Sequence, residues 1–161
     1  MPATSETCLI CRGADGDPEF ERFQVWEDRY WRLTVSLSAE VLGFAYLEPK
    51  RHIPYITELD GPEAQTFGEV LARTSRALRE ETGADLVYVY IFGGGVPHLH
   101  VHLAPHRAND ALNSRMIRGE LQEERLSSGV TRFVSTEFPP LPEHELHAVG
   151  ERVGQRLAAG D

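Results

Sequence analysis

The order of apolar and polar residues over the first fifty positions predicts three β-strands. Segments 23–26, 30–36 and 44–48 are rich in aromatic and other strand-favouring residues. Turn-forming residues separate the first two segments. We therefore expect three strands of an antiparallel meander in this part of the chain.

A long amphipathic helix is predicted after these strands, between residues 59 and 83. Apolar residues recur there every three or four positions, the spacing that places them on one face of a helix. Asp60 is a suitable N-cap residue, and Pro62 suits the first turn. Gly83 is a natural terminating residue, because glycine adopts the left-handed conformation that often ends a helix.

Two further strands are predicted at residues 86–92 and 98–104, with three consecutive glycines in the loop between them. Beyond them the pattern is weaker, and we expect a short helix over residues 111–125. Residues 142–157 carry apolar residues on one helical face. Gly150 and Gly154 lie within this segment, and each disfavours a helix by about 1 kcal/mol relative to alanine.

Together these elements predict an α+β fold, an antiparallel five-stranded sheet with a long helix on one face. With 161 residues, the chain suffices for one domain with its own core but not for two. We expect a core domain over residues 1–107. The extension over residues 108–161, a loop and a helix, is expected to pack on the same domain.

Composition and charge narrow the function further. No segment approaches the roughly 18 apolar residues of a membrane helix, and the amino terminus lacks the basic start and apolar run of a secretory signal. We therefore expect a cytoplasmic protein that does not bind membranes. The net charge of −9 disfavours general binding to nucleic acids. A small anionic ligand still fits, provided that its site is locally positive.

Histidines alternate with aliphatic residues over residues 98–104. Because alternate side chains of a strand point to opposite faces, His98, His100 and His102 are expected on one face and their aliphatic neighbours in the core. Successive histidines would lie about 6.6–6.8 Å apart along the strand. Their rings could then converge on one tetrahedral anion, and imidazole can accept, donate or attack near neutral pH.

Cys8 and Cys11 are the two cysteines of the chain. Without an export signal a structural disulfide is not expected, so the pair belongs to a metal site, forms a redox couple or remains as free thiols. A thioredoxin-type couple would lie between a strand and a helix, whereas a loop rich in Gly, Asp and Pro follows Cys11. A closed zinc site needs four ligands, and two cysteines with two histidines are a common set.

The pattern at residues 98–104 resembles the signature of the histidine-triad (HIT) superfamily of nucleotide hydrolases and transferases. Three more segments resemble family motifs in the same order. Residues 8–11 are similar to the cysteine knuckle of many bacterial members, residues 25–28 to a Val-Tyr-Glu-Asp strand end, and residues 49–52 to a Pro-Lys-x-His segment. The predicted long helix also lies where the family has one.

This resemblance implies a nucleotidyl hydrolase or transferase acting on a nucleoside-monophosphate conjugate, such as a phosphoramidate or a dinucleoside polyphosphate. His100 would attack the α-phosphorus and form a covalent nucleotidyl-histidine intermediate, which water would then resolve. The ring nitrogen of His100 that faces away from the phosphate would need a backbone carbonyl partner to fix the tautomer. His102 would hydrogen-bond a phosphoryl oxygen. The family also implies a homodimer.

The resemblance further implies a structural zinc ion with four ligands, namely Cys8, Cys11, His52 and His98. Related galactose-1-phosphate uridylyltransferases are similar in using the first histidine of the motif in this way. His98 is therefore a candidate both for zinc and for the phosphate. If it binds zinc, it cannot also contact the phosphate, and the chemistry would depend on the other two histidines of the triad.

Further nucleotide-binding candidates follow from comparison with the family pattern. Ser36 stands where many members carry an aspartate that holds the ribose hydroxyls, and it would supply one hydrogen bond. Gly94 and Gly95 replace a polar pair, so their backbone amides are candidate phosphate ligands. Arg107 is the best candidate for a nearby cation. The extension after residue 107 exceeds the minimal family domain and is a candidate determinant of leaving-group specificity.

Two other functions remain open from the sequence. One is a metalloenzyme in which His100 and His102 bind a catalytic zinc, so that chelators abolish activity. The other is a catalytically silent nucleotide-binding module, which would bind a nucleoside monophosphate and leave every conjugate intact.

Overall fold

The computed structural model describes residues 5–112 and 120–160, which form an α+β fold around a five-stranded antiparallel sheet. The predicted fold class is confirmed. The sheet has the strand order β1-β2-β3-β5-β4. In chain order its strands are β1 (Arg22–Glu27), β2 (Trp31–Ser36), β3 (Ala45–Pro49), β4 (Leu86–Tyr90) and β5 (Val101–His106).

Helix α1 spans Gly61–Thr82 and connects β3 to β4. Its N-cap residue is Asp60 and its C-cap residue is Gly83, as predicted. Gly83 has φ +66°, in the left-handed region that glycine adopts without a steric penalty. Among the described residues, no helix combines the length and the apolar character needed to cross a bilayer.

The main core lies between the sheet and its helices. Leu99, Val101 and Leu103 are buried there together with apolar residues of β2, β3 and α1. Their burial confirms the alternation that the sequence predicts for this segment. The side chains of Tyr46 and His102 lie on the other face of the sheet. The two residues are paired across β3 and β5.

Strand β5 begins three residues later than predicted. Before Val101 the backbone bonds elsewhere, since the His98 N–H donates to the Val96 carbonyl at 2.8 Å and the Leu99 N–H to the Ile53 carbonyl at 2.7 Å. The chain that carries His98 and His100 thus pairs with loops at the end of the sheet. The aliphatic residues still face the core, but the strand ladder starts after the second histidine.

The short helix predicted over residues 111–125 is wrong where the structure describes it. Residues Leu121–Arg125 form strand β6, which pairs with β7 (Thr131–Ser135) in a separate antiparallel hairpin. Gly129 has φ +85° in the connecting turn, a conformation that favours glycine. Cross-strand pairing with residues 131–135 overrides the weak local preference. Residues 113–119, where part of this prediction falls, lie outside the described residues.

Helix α2 (Glu143–Ala158) matches the predicted second helix and packs close to β1. A Cβ atom on Gly150 would lie 2.5 Å from Phe23 Cζ, and one on Gly154 would lie 2.3 Å from the Val25 carbonyl oxygen. The two glycines that weaken the helix locally are therefore the residues that permit this close packing.

Candidate functional site

Four predicted metal ligands come together at the end of the sheet: Cys8, Cys11, His52 and His98. Their ligand atoms all lie within 4.8 Å of one another. His98 Nδ1 is 3.4 Å from Cys8 Sγ and 3.3 Å from Cys11 Sγ, and His52 Nδ1 is 3.3 Å from Cys11 Sγ. Both cysteines are free thiols.

The backbone orients His98 within this cluster. Its Nε2–H donates to the Pro49 carbonyl oxygen at 2.8 Å, which leaves the Nδ1 lone pair facing the two cysteines. Burial lowers the pKa of His98 to about 4, so the ring is neutral at pH 7. Burial and the neighbouring Cys8 raise the pKa of Cys11 to about 12.

The cluster has the dimensions of a tetrahedral zinc site. Around a zinc ion with Zn–S bonds of about 2.3 Å and Zn–N bonds of about 2.0 Å, sulfur and nitrogen ligands lie roughly 3.5 Å apart. The sulfur-to-nitrogen separations of 3.3 and 3.4 Å are close to that value. The four residues, His98 among them, therefore fit a metal ion.

A buried cluster of four charged residues fastens the cysteine segment to the sheet. Its members are Asp17, Arg22, Arg32 and Glu48. Asp17 lies in a short 3-10 helix after the cysteines and contacts Arg22 Nε at 3.0 Å and Arg32 Nη2 at 2.6 Å. Glu48 contacts Arg22 Nη1 at 2.5 Å and Arg32 Nε at 3.0 Å. Two positive and two negative charges thus compensate one another inside the fold.

The pKa of Glu48 reflects this arrangement. Burial alone would raise it, but the guanidinium groups of Arg22 and Arg32 lower it below its ordinary value. Glu48 therefore remains ionised at neutral pH and holds both arginines. No motif in the sequence predicts this cluster, although alternation along β3 places Glu48 on the same face as Tyr46.

A pocket of about 920 Å³ lies on the sheet face opposite the main core. His100, His102, Gly94 and Gly95 all line it. His98 is buried and faces the cysteines, so the structure separates the triad into one histidine in the metal-type cluster and two in the pocket.

His100 has a fixed orientation in this pocket. Its Nδ1 lies 2.6 Å from the His98 carbonyl oxygen. Because a carbonyl only accepts hydrogen bonds, Nδ1 carries the proton and Nε2 keeps its lone pair. The backbone thus supplies a carbonyl partner that fixes the tautomer of His100.

Aromatic rings surround His102. Its ring stacks on Tyr90 with a centroid distance of 4.9 Å and an interplanar angle of 14°. The His100 ring lies 5.2 Å away. Further ring contacts come from Phe44, Tyr46 and Phe92. This arrangement gives the pocket apolar, flat surfaces next to two imidazoles.

Two predicted nucleotide-binding residues lie elsewhere. Ser36 is buried, and its Oγ accepts a hydrogen bond from the Ser38 N–H at 3.2 Å. Arg107 is exposed, and its N–H donates to Asp110 Oδ2 at 2.8 Å. Neither is among the described residues that line the pocket.

Ser38 and Glu40 line the pocket where the sequence analysis points to Ser36. Glu40 is buried, with an exposed fraction of 8%. These residues follow β2 in a loop, and no alternation or motif in the sequence distinguishes them. Their position is visible only once the loop has folded against the sheet.

Comparisons with known proteins agree with this architecture. The profile of the HIT domain matches residues 17–109, more than half of the chain. A comparison with curated protein sequences gave no match.

Several solved structures share the fold. A Zn-bound histidine triad family protein from Mycobacterium smegmatis is 22% identical with a TM-score of 0.64, over 97% of this chain and 99% of that one. A histidine triad protein from Bradyrhizobium japonicum has a TM-score of 0.67 at 21% identity, covering 86% of this chain and 92% of that one. A hypothetical histidine triad nucleotide-binding protein from Sulfolobus tokodaii has a TM-score of 0.64 at 19% identity, with coverages of 94% and 93%.

Proposed function

The chain belongs to the HIT domain family, and on that premise we propose that it is a nucleotidyl hydrolase or transferase that uses His100 as its nucleophile. The substrate is a nucleoside monophosphate joined to a leaving group. The observation that carries this proposal is the 2.6 Å contact between His100 Nδ1 and the His98 carbonyl, in a side chain that lines a large pocket. It leaves His100 Nε2 as the nitrogen with an available lone pair.

The reaction proceeds in two displacements at phosphorus. In the first, His100 Nε2 bonds to the α-phosphorus while the bond to the leaving group breaks. The leaving group keeps the electron pair of that bond and takes a proton from the His102 imidazolium. In the second, water attacks phosphorus, the bond to Nε2 breaks, and the proton of the water returns to His102. Two easier steps thereby replace a difficult one.

The pocket offers groups for the rest of the nucleotide. Tyr46 and Tyr90 provide ring surfaces against which a base can stack. Ser38 and Glu40 are polar lining side chains that would bind the ribose hydroxyls, in the role that the sequence suggested for Ser36. Gly94 and Gly95 bring backbone amides to the pocket wall without a side chain to block the phosphate.

The four-residue cluster at the end of the sheet would hold a structural zinc ion through Cys8, Cys11, His52 and His98. Support comes from the tetrahedral dimensions of the cluster and from the Zn-bound relative. When bound, zinc would cross-link the amino-terminal segment to the chain that carries the catalytic histidine. His98 then acts as a metal ligand and not as a phosphate contact.

The chain would act as a homodimer. Strand β4 is an edge strand, and Leu86 and Val89 on it are each more than 40% exposed. Exposed apolar residues on an edge strand are typical of a surface that pairs with another chain.

The function is tested with a panel of nucleoside 5′-phosphoramidates that carry different bases. We expect the protein to release the nucleoside monophosphate and to keep this activity in excess EDTA at assay times too short to remove a buried metal. Rapid acid quench and mass spectrometry should detect a nucleotide adduct on the peptide that contains His100. His100→Ala should lose the adduct and at least a thousandfold of the rate, by analogy with other covalent nucleophiles.

Two results would contradict the proposal. Binding of nucleoside monophosphates without cleavage of any conjugate would identify a silent binding module. Activity that requires a second metal ion per chain, measured by elemental analysis, would identify a metalloenzyme in which His100 and His102 are ligands.

A further inference from the structure

Arg22 is a buried cation in the wall of the histidine pocket. It is the first residue of β1 and is only 5% exposed, yet it lines the pocket together with Phe20 and Tyr46. The other members of the buried charge cluster, Asp17, Arg32 and Glu48, are not among the described residues that line the pocket. Arg22 is therefore the member of that cluster that a bound ligand can contact.

Two aromatic rings pack on the guanidinium group of Arg22. Its Cζ atom lies 4.8 Å from the centroid of the Phe20 ring and 5.5 Å from the centroid of the Tyr46 ring. A guanidinium group packs favourably on the face of an aromatic ring, because the group is planar and positively charged. The rings thus cover the flat surface of the group. The part left for a ligand is its edge, which carries the N–H groups.

The carboxylates of the charge cluster occupy part of this edge. Arg22 Nε donates to Asp17 Oδ1 at 3.0 Å, and Nη1 and Nη2 donate to the two carboxylate oxygens of Glu48 at 2.5 and 3.2 Å. These bonds use three of the five N–H groups of a guanidinium. Among the described residues, no further hydrogen-bond acceptor contacts the group. One hydrogen on each Nη is therefore left for a ligand.

A neutral acceptor fits this edge better than an anion does. The charge of Arg22 is already compensated, since its guanidinium contacts two buried carboxylates. A further anion would compete with these carboxylates, whereas a carbonyl oxygen accepts an N–H and leaves the balance of charge unchanged. Tyr46 is a ring on which the nucleobase is proposed to stack, and it also contacts the guanidinium. A carbonyl oxygen of the base is therefore the acceptor that this wall suits.

We propose that Arg22 selects the nucleobase, and that the preferred base is a purine with a 6-keto oxygen, guanine or hypoxanthine. The inference rests on the proposed function. The base packs against Tyr46, and an Nη–H of Arg22 donates to the 6-keto oxygen. Adenine carries an amino group at this position, so that two donors would face one another. The rings and carboxylates around Arg22 hold the guanidinium in place, so it does not turn away from this mismatch.

The test compares the 5′-phosphoramidates of inosine, guanosine and adenosine as substrates, and the three matching monophosphates as ligands. The bases of inosine and adenosine differ only at positions 1 and 6 of the purine ring. We expect kcat/KM for the inosine and guanosine conjugates to exceed that for the adenosine conjugate at least tenfold, the effect of a hydrogen bond from a charged group. Titration calorimetry should give the same order of affinity for the monophosphates.

Two substitutions separate base selection from the stability of the charge cluster. Arg22→Lys keeps the positive charge but removes the Nη donors, and it should reduce the preference to within about twofold. Arg32→Lys is the matched control, since Arg32 contacts the same two carboxylates but is not among the described lining residues. It should lower the stability of the protein to a similar extent and leave the preference as it is in the natural protein. Thermal unfolding measures the stability of both variants.

The natural protein tests the base preference whether or not the variants fold. If it cleaves the adenosine conjugate as fast as the inosine conjugate or faster, the base preference is overturned and the proposed function stands. An unchanged preference in Arg22→Lys, or an equal loss in Arg32→Lys, overturns the role of Arg22. If no conjugate is cleaved but inosine monophosphate binds more tightly than adenosine monophosphate, the proposed function fails and the base contact stands.

Discussion

At the scale of single residues, the three alternating histidines have two different environments. His98 and His100 are two positions apart, yet His98 Nδ1 faces two cysteines and His100 lines the pocket. One backbone group links them, because the His98 carbonyl accepts a hydrogen bond from His100 Nδ1–H. Any movement of His98 therefore changes the orientation of the proposed nucleophile.

This difference predicts that variants of the two histidines behave differently. His98→Ala should lose the zinc that we propose the four residues hold, and it should lower the thermal midpoint by roughly 10 °C, the effect of losing about 3 kcal/mol in a domain of this size. His100→Ala should retain both the zinc and the midpoint. Elemental analysis of the purified proteins and calorimetry measure the two quantities. Equal zinc content in both variants would show that His98 is not a ligand.

At the scale of elements, close packing of α2 on β1 depends on two glycines. Each lowers the intrinsic stability of the helix, and each faces β1 at a distance that no side chain fits. Gly154 approaches the backbone of Val25, which cannot move aside as a flexible side chain can. Packing between elements thus opposes and outweighs helix propensity here.

We therefore expect Gly154→Ala to lower the free energy of unfolding by about 1–3 kcal/mol, the typical cost of overpacking. Gly68→Ala in α1 is the matched control, because a Cβ atom there meets no atom within 4 Å. It should raise the free energy of unfolding by about 0.5–1 kcal/mol through helix propensity. Urea denaturation measures both. A stabilised Gly154→Ala variant would contradict the close approach of α2 to β1.

At the scale of the whole molecule, one sheet separates the main core, the pocket and the metal-type cluster from one another. One of its faces packs the main core, its other face carries the pocket, and its end holds the metal-type cluster. The buried charge cluster connects the cysteine segment with three strands, since Asp17 binds arginines of β1 and β2 that also bind Glu48 of β3. Among the residues that the structure describes, β4 is an edge strand that pairs with β5 alone.

The proposed dimer gives a prediction at this scale. Sedimentation equilibrium at micromolar concentration should yield twice the chain mass of 18.1 kDa. Val89→Lys should shift the protein towards the monomer, because a lysine at an exposed apolar position of an edge strand opposes pairing. Glu145→Lys, an exposed substitution on α2, controls for added charge. A monomeric natural protein would refute the dimer.

Local patterns in the sequence determined the elements of the core. Alternation placed Leu99, Val101 and Leu103 in the interior, and the residues Asp60 and Gly83 marked the ends of α1. Such features depend on neighbours a few positions apart, so they can be read along the chain. The family motifs similarly indicated the four residues that the structure brings together as a metal-type cluster.

Only the tertiary structure decided which groups share a pocket. Ser38, Glu40 and Phe133 line the same pocket as His100, and they are placed there by loops and a hairpin whose positions depend on contacts between distant segments. Its first strand, β6, falls within the segment for which the sequence predicts a helix, because a weak local preference carries no information about the strand with which it pairs. Residues 98–104 therefore indicated the proposed chemistry from the sequence alone, whereas the walls of the pocket arise from long-range packing, which no short pattern encodes.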